Sequence, residues 1–224
     1  FTASGQQVVI DASFVICNDM TWTGITSGAE LVGNTSNTIF VVEDLTLDAN
    51  MVNDFLGTFE FLADDNTTRT IDPNGVDFSG PVVFNYYGGD WDVADDLNVD
   101  GDVSILDGTL NLTSTNYDIS INNGNDLIIA NSGILNGEED TIAVSDDVIM
   151  SDTAMIILTD NCEFTIAGGV TMTDSADITM GGSGNFTIGG GFTMSNGSRL
   201  DLDTMTFSIG GNFTMNNDVV VVFD

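Results

Sequence analysis

Three segments near the C-terminus, EFTIAGGVTM, NFTIGGGFTM and TFSIGGNFTM, repeat one pattern, with Phe164, Phe186 and Phe207 spaced by 22 and then 21 residues. With each phenylalanine as position x, apolar residues recur at x, x+2, x+6 and x+8, and again near x+14 and x+16. In one unit these are Phe164, Ile166, Val170, Met172, Ile178 and Met180; in the next they are Phe186, Ile188, Phe192, Met194, Leu200 and Leu202. The same phase holds 22 residues upstream in Ile142, Val144, Val148, Met150, Ile156 and Leu158. It continues through Ile119, Ile121, Leu127 and Ile129, through Leu97, Val99, Val103 and Ile105, and through Val76, Phe78, Val82 and Phe84. Further upstream Ile39, Val41, Leu45 and Leu47 form one unit, and Val8, Ile10, Phe14 and Ile16 another. These two lie 37 and 31 residues before their successors, which reads as two units carrying insertions.

Apolar pairs at i and i+2 mark short strands with alternate side chains inward. Three such pairs per repeat, separated by Gly, Asn and Asp turns, describe a three-sided coil. One coil cannot bury its own inward side chains, but a stack of coils makes one continuous core. The expected fold is therefore all-β: a right-handed parallel β-helix of about nine coils, roughly 40 Å long at the usual strand spacing. Residues 1–224 read as a single solenoid domain, irregular over 1–75 and regular over 76–224.

The strings FTIAGGVTM, FTIGGGFTM and FSIGGNFTM resemble the strand-Gly-Gly-strand coils of β-helical repeats in secreted bacterial surface proteins, a class that includes adhesins, haemagglutinin-like passengers and stalk modules. The resemblance covers roughly residues 76–224. It implies an extracellular structural or adhesive role and supplies no catalytic residues. The chain begins at Phe1 rather than Met, which reads as a processed, secreted product or a fragment.

Charge narrows the partners. Asp and Glu number 35 against two basic residues, Arg69 and Arg199, for a net charge of −33. Nucleic acids and anionic membrane surfaces need clustered Lys and Arg, so neither is an expected partner. The absence of His removes Ser-His-Asp catalysis and every His-ligated metal site. No apolar run is long enough to insert into a membrane.

Natural solenoids are usually capped, because an exposed terminal coil is a sheet edge ready to pair. Here Val8, Val9 and Ile10 form one edge strand, and Val219, Val220, Val221, Val222 and Phe223 form the other, with no capping segment in either flank. Either the polypeptide is part of a longer protein, or one subunit covers the next in a head-to-tail homopolymer. The stretches 48–58 and 62–75 read as side insertions that cover the core end, brace a neighbour or bind cell-surface glycans.

Several motifs carry weaker chemistry. Residues 96–107, DLNVDGDVSILD, resemble the calcium loop of a dockerin-type EF-hand, with Asp96, Asn98, Asp100, Asp102 and Asp107 as the candidate oxygen ligands. Leu97, Val99, Val103 and Ile105 in the same stretch also fit the solenoid phase, which sets calcium against a plain strand-turn-strand. Asp146 and Asp147 would be an acid/base pair in a polysaccharide hydrolase, but adjacent strand residues face opposite ways, and the chain is read as non-enzymatic. Thr171, Thr193 and Thr214 share one outward position, as do Thr165, Thr187 and Ser208; they form single ranks rather than the paired array an ice-binding face wants. Asn34, Asn66, Asn111, Asn185, Asn196 and Asn212 sit in N-x-[ST] triplets, open to glycosylation in a host that performs it. Cys17 and Cys162 fall about seven coils apart, beyond disulfide reach. The expected function is an extracellular filament or surface layer built through open solenoid ends, with an adhesin or glycan-binding stalk module as the alternative. No cofactor is required, and calcium is the one candidate ion.

Overall fold

The computed structural model describes residues 5–63, 67–112 and 117–223, and every regular element in them is a strand. Coil one holds β1 (Gln7–Ile10), β2 (Phe14–Cys17) and β3 (Met20–Thr21). Coil two holds β4 (Ala29–Gly33), β5 (Thr38–Val41) and β6 (Leu45–Thr46), and coil three β7 (Met51–Phe55), β8 (Thr58–Phe61) and β9 (Thr68–Asp72). Coil four is β10 (Val82–Val93), preceded by a single bridge from Phe78 to Val99. Coil five has β11 (Leu97–Val99) and β12 (Val103–Leu112), and coil six β13 (Ile119–Ile121) and β14 (Leu127–Glu138). Coil seven has β15 (Thr141–Val144), β16 (Val148–Met150) and β17 (Met155–Thr159). Coil eight has β18 (Glu163–Ile166), β19 (Val170–Met172) and β20 (Asp177–Met180). Coil nine has β21 (Asn185–Ile188), β22 (Phe192–Ser195) and β23 (Arg199–Leu202), and coil ten β24 (Thr206–Ile209), β25 (Phe213–Asn216) and β26 (Val220–Phe223).

Apart from one break on the first face, strands pair in parallel with their counterparts one coil on, giving a β-solenoid of about ten coils with three faces. The second face is an unbroken ladder. Its inward column runs Cys17, Val41, Phe61, Phe84, Ile105, Ile129, Met150, Met172, Met194 and Met215, each beside the next. On the third face, Met20, Leu45, Ile71 and Val93 begin a column that ends in Leu158, Met180, Leu202 and Phe223. In coils four to six, β10, β12 and β14 continue as strand through the corner, with register shifts there, so the second and third faces form one sheet. The first face breaks once, at coil four. There Asn53 donates its side-chain amide to the Asp77 carbonyl at 3.0 Å, and the Ser79 hydroxyl donates to the Asn53 carbonyl at 2.6 Å, replacing the ladder.

The interior is a stack of like side chains. Phe164 and Phe186 lie nearly parallel with centroids 5.2 Å apart, Phe207 follows at 5.3 Å, and Phe192 meets Phe186 edge-on at 6.2 Å. The corners are columns too. Ala154, Ala176 and Ser198 fill one from inside, and Asp140, Cys162 and Gly184 another, all buried. A Cβ at Gly184 would collide with the Cys162 carbonyl, so the chain passes there only as glycine. A left-handed residue recurs once per coil at Asn131, Asp152, Asp174, Asn196 and Asn217, with φ between 49° and 61°. Asn and Asp tolerate that region better than other non-Gly residues, which is one reason the turns are rich in them.

Ten coils form where the sequence pattern suggests about nine. The two long upstream intervals hold a complete coil rather than insertions. Val8 pairs with Leu31, Ala29 with Met51, and Phe59 with Val82. Residues 48–58 contain β7, and residues 62–75 contain β9. The phase of β2 is also reversed from expectation. Phe14 and Ile16 are 57% and 61% exposed, while Val15 and Cys17 stand beside the buried Ile39 and Val41. Ile10 and Val15 are five residues apart where Ile166 and Val170 are four, and one extra corner residue turns the whole strand over.

Deleting a ring from the stack should be costly. Phe186→Ala is expected to lose about 3–5 kcal/mol of unfolding free energy, whereas Thr187→Ala on the outward side of β21 should change it by less than about 0.5 kcal/mol. Urea denaturation followed by circular dichroism reads both.

Candidate functional site

The two ends of the described rod differ from its middle. At the first coil, the inward side chains of Val8, Ile10, Val15, Cys17, Met20 and Trp22 open into a cavity of about 390 Å³, floored by Leu31 and Ile39 of coil two. Around its rim, Val9, Phe14 and Ile16 stand outward and exposed. At the last coil, Phe213, Met215, Val220 and Phe223 are exposed, and Phe207, Ile209, Val219 and Val221 are half-covered by coil nine. In the middle, the positions equivalent to Phe213, Met215 and Phe223 are buried, as Phe192, Met194 and Leu202 are, whereas Val220 continues the outward column of Asp177 and Arg199. Of the expected edge residues, Val9, Val220 and Phe223 are the exposed ones; Val8, Ile10, Val219, Val221 and Val222 are half-buried. Sequence reading missed Met20, Trp22, Phe213 and Met215 as end-surface residues. The short strand of MTWTGI hid the first pair, and the last two were read only as core.

Charge is distributed unevenly around these ends. The strands of coil one read QVVI, FVIC and MT, and those of coil ten TFSI, FTMN and VVVF, with no charged residue among them. Coils three, eight and nine, by contrast, place carboxylates or Arg199 on their strands. Arg199 donates to Asp177 at 3.2 Å and also pairs with Asp201, tying coil eight to coil nine on the third face.

The acidic corners have a defined job. Carboxylates at the turns accept backbone N–H groups from the coil above: Asp44 from Thr70 at 2.7 Å, Asp96 from Asp118 at 3.0 Å, and Asp118 from Thr141 at 2.8 Å. A second column does the same, with Asp102 accepting from Asp126, Asp126 from Asp147 and Asp147 from Gly169, at 3.0, 2.9 and 2.7 Å. These residues satisfy donors that the ladder leaves free where a coil turns.

The five candidate calcium ligands are not gathered into a loop. Asp96 and Asn98 flank or lie in β11, Asp100 and Asp102 sit at the next corner, and Asp107 lies in β12, where it accepts the Ser132 hydroxyl at 2.7 Å. Among the described residues, the carboxylates that do converge are those of Asp126, Asp146 and Asp147, with oxygens within 4.8 Å of one another. The strand expectation for Asp146 and Asp147 is corrected here: both lie in the turn between β15 and β16 and are exposed on the same side of the corner. Asp126 is held above the ordinary carboxylate range by partial burial, with Asp102, Asp146 and Asp147 adding repulsion.

Of the glycosylation triplets, Asn34, Asn185, Asn196 and Asn212 are exposed, and Asn66 lies outside the described residues. Asn111 is buried, and its amide donates to both Asp90 and Asp92, so it offers no free nitrogen for a glycan. Both cysteines are free. The Cys17 thiol, half-buried at the open mouth, donates to the Phe40 carbonyl at 3.4 Å and is raised by burial and then by Asp19. Cys162 is fully buried, donates to the Asp140 carbonyl at 3.0 Å, and is pushed up to about 12 by burial and the Asp140 charge. Comparisons with protein-family models, with curated proteins and with solved structures give no match for this chain.

Asp140 is the one carboxylate buried in the solenoid interior among the described residues, at 1% exposure. One oxygen accepts the Glu138 N–H at 2.6 Å, and the other is buried without a partner. Burial, followed by the charges of Asp118 and Glu138, raises it to about 6. The folded state therefore binds this proton more tightly than the unfolded state does. Its contribution is fully present below pH 4 and is lost as pH rises through about 6, an effect of roughly 3 kcal/mol. Asp140→Asn should remove that component: relative to the parent, the variant gains stability between pH 4 and pH 7, as urea denaturation at the two pH values would show.

Proposed function

We propose that this chain is a secreted, non-enzymatic structural solenoid that builds an extracellular filament or surface layer by joining end coils head to tail. One observation carries the reading: both end coils combine an open apolar interior with uncharged strands, in a chain whose net charge is −33. An apolar sheet edge of this kind pairs with another edge, and the first and last coils are complementary edges of one ladder. The contact is heterologous and does not close on itself, so it generates a line of copies rather than a ring of fixed size. Secretion rests on the resemblance to bacterial surface β-helices and on the exposed Asn-x-Ser/Thr triplets.

A second reading, a glycan-binding or adhesive stalk module within a longer surface protein, draws on a different feature. In β10 the residues Tyr86–Gly89 bulge from the corner between Asn85 and Asp90, and Tyr87 is 80% exposed. An exposed ring flanked by amide and carboxylate groups is a surface on which a sugar can stack.

Sedimentation velocity and negative-stain electron microscopy of the 224-residue chain separate the readings. Filaments are expected, longer at high than at low salt because the flanking acidic corners are then screened. They should persist in chelator, since the strands at the joint carry no carboxylate. Single short rods at every salt and protein concentration would overturn the filament and leave the stalk module.

A further inference from the structure

The ladder that runs through the rod also specifies how a second copy would meet it. We propose that two copies join coil on coil in the rod's own register, with β2 of one copy paired in parallel along β25 of the other and Met215 seated against Cys17 of the second copy. This rests on the head-to-tail reading above and adds the register to it.

Three observations lead there. The second face keeps a single register from Cys17 to Met215 through every coil, so one more step beyond Met215 lands on a strand equivalent to β2. The open mouth of coil one has about 390 Å³ of space lined mostly by apolar side chains, with Asp19 and Thr21 the polar residues of the lining. The side chains that stand uncovered at the other end are Phe213, Met215 and Phe223, which are apolar and of a size to fill that space. Outward from the same joint, Asn212 and Thr214 would lie beside Phe14 and Ile16, so no like charges are brought face to face on the strands.

The coil outlines differ between the ends, and the rod shows that this difference is tolerated. From the second to the third face, coil one needs two residues (18–19) and coil ten seven (216–222). Coils two and three already stack a corner of three residues (42–44) on one of nine (62–70), and both faces keep register across the step. The strands on either side of that longer corner, β8 and β9, stay in register with β5 and β6.

Register can be read by cross-linking. Neighbouring parallel strands lie about 4.8 Å apart, within the Cα separation a disulfide spans. In a Met215→Cys variant the new thiol would face Cys17 of the next copy, while Cys162 stays buried and unreactive. Met215 is 55% exposed, so the substitution leaves the core of the rod intact. Assembled protein would be treated with copper–phenanthroline and run on a non-reducing denaturing gel, and the links mapped by mass spectrometry. The expected result is a shift from monomer to a ladder of covalent multimers, joined between the peptide holding Cys17 and the peptide holding position 215. Met194→Cys, one coil further back, should give no such ladder. Filaments that form but do not link at position 215 would overturn the register and leave head-to-tail assembly standing. A chain that never assembles would overturn both.

Discussion

Every feature of this molecule depends on one constraint: a coil of about 22 residues has no inside of its own. Its inward side chains are covered by the coils above and below, and apart from a few turn hydrogen bonds within the coil its backbone groups are paired by the same neighbours. Like therefore stacks on like, as Phe164, Phe186 and Phe207 do on the first face and Met150, Met172, Met194 and Met215 on the second. Each internal coil is held from both sides. The first and last described coils are held from one side, and their half-covered cores are the direct consequence.

The large negative charge fits the same geometry. Where a coil turns from one face to the next, the ladder stops and backbone N–H groups are left over. Columns of aspartates accept them, as Asp102, Asp126 and Asp147 do in successive coils. Stacking carboxylates a strand-spacing apart costs repulsion, which salt reduces, but it pairs donors that would otherwise be lost at every corner. Arg199 offsets part of the repulsion on the third face by joining Asp177 to Asp201. Asp140 is the exception, a carboxylate turned into a corner that Cys162 and Gly184 fill in the next two coils, and it carries a raised affinity for its proton as a result.

Much of the fold was legible because the strands from residue 76 onward repeat one phase with little drift. The upstream coils were harder to read for identifiable reasons. Coil three puts Asn53 at an inward position and satisfies it with the Asp77 carbonyl, so the apolar alternation of Met51 and Phe55 is interrupted in the sequence. Coil two uses Ala29, too small to stand out. The extra residue before β2 turned Phe14 and Ile16 outward, and periodicity alone cannot detect an odd-numbered corner. At the ends, the edge strands were visible as apolar runs, but the cavity at coil one was not, because it depends on Met20 in a strand of two residues and on Trp22 just after it. The acidic residues gave the least away. In sequence, Asp96 to Asp107 look like a cation loop, and only the backbone shows that Asp96 and Asp102 reach up to separate corners of the next coil.

The parallel stack itself is the central claim, and spin-label distances test it most directly. Glu60, Ser104 and Thr214 occupy one outward column of the second face in coils three, five and ten. Nitroxide pairs at 60 and 214 and at 104 and 214, in a Cys17→Ser background and read by pulsed electron paramagnetic resonance, should give separations near 34 and 24 Å, which is about 4.8 Å per coil. Distances that do not scale with the number of coils between the labels, as in an antiparallel sandwich, would contradict the account.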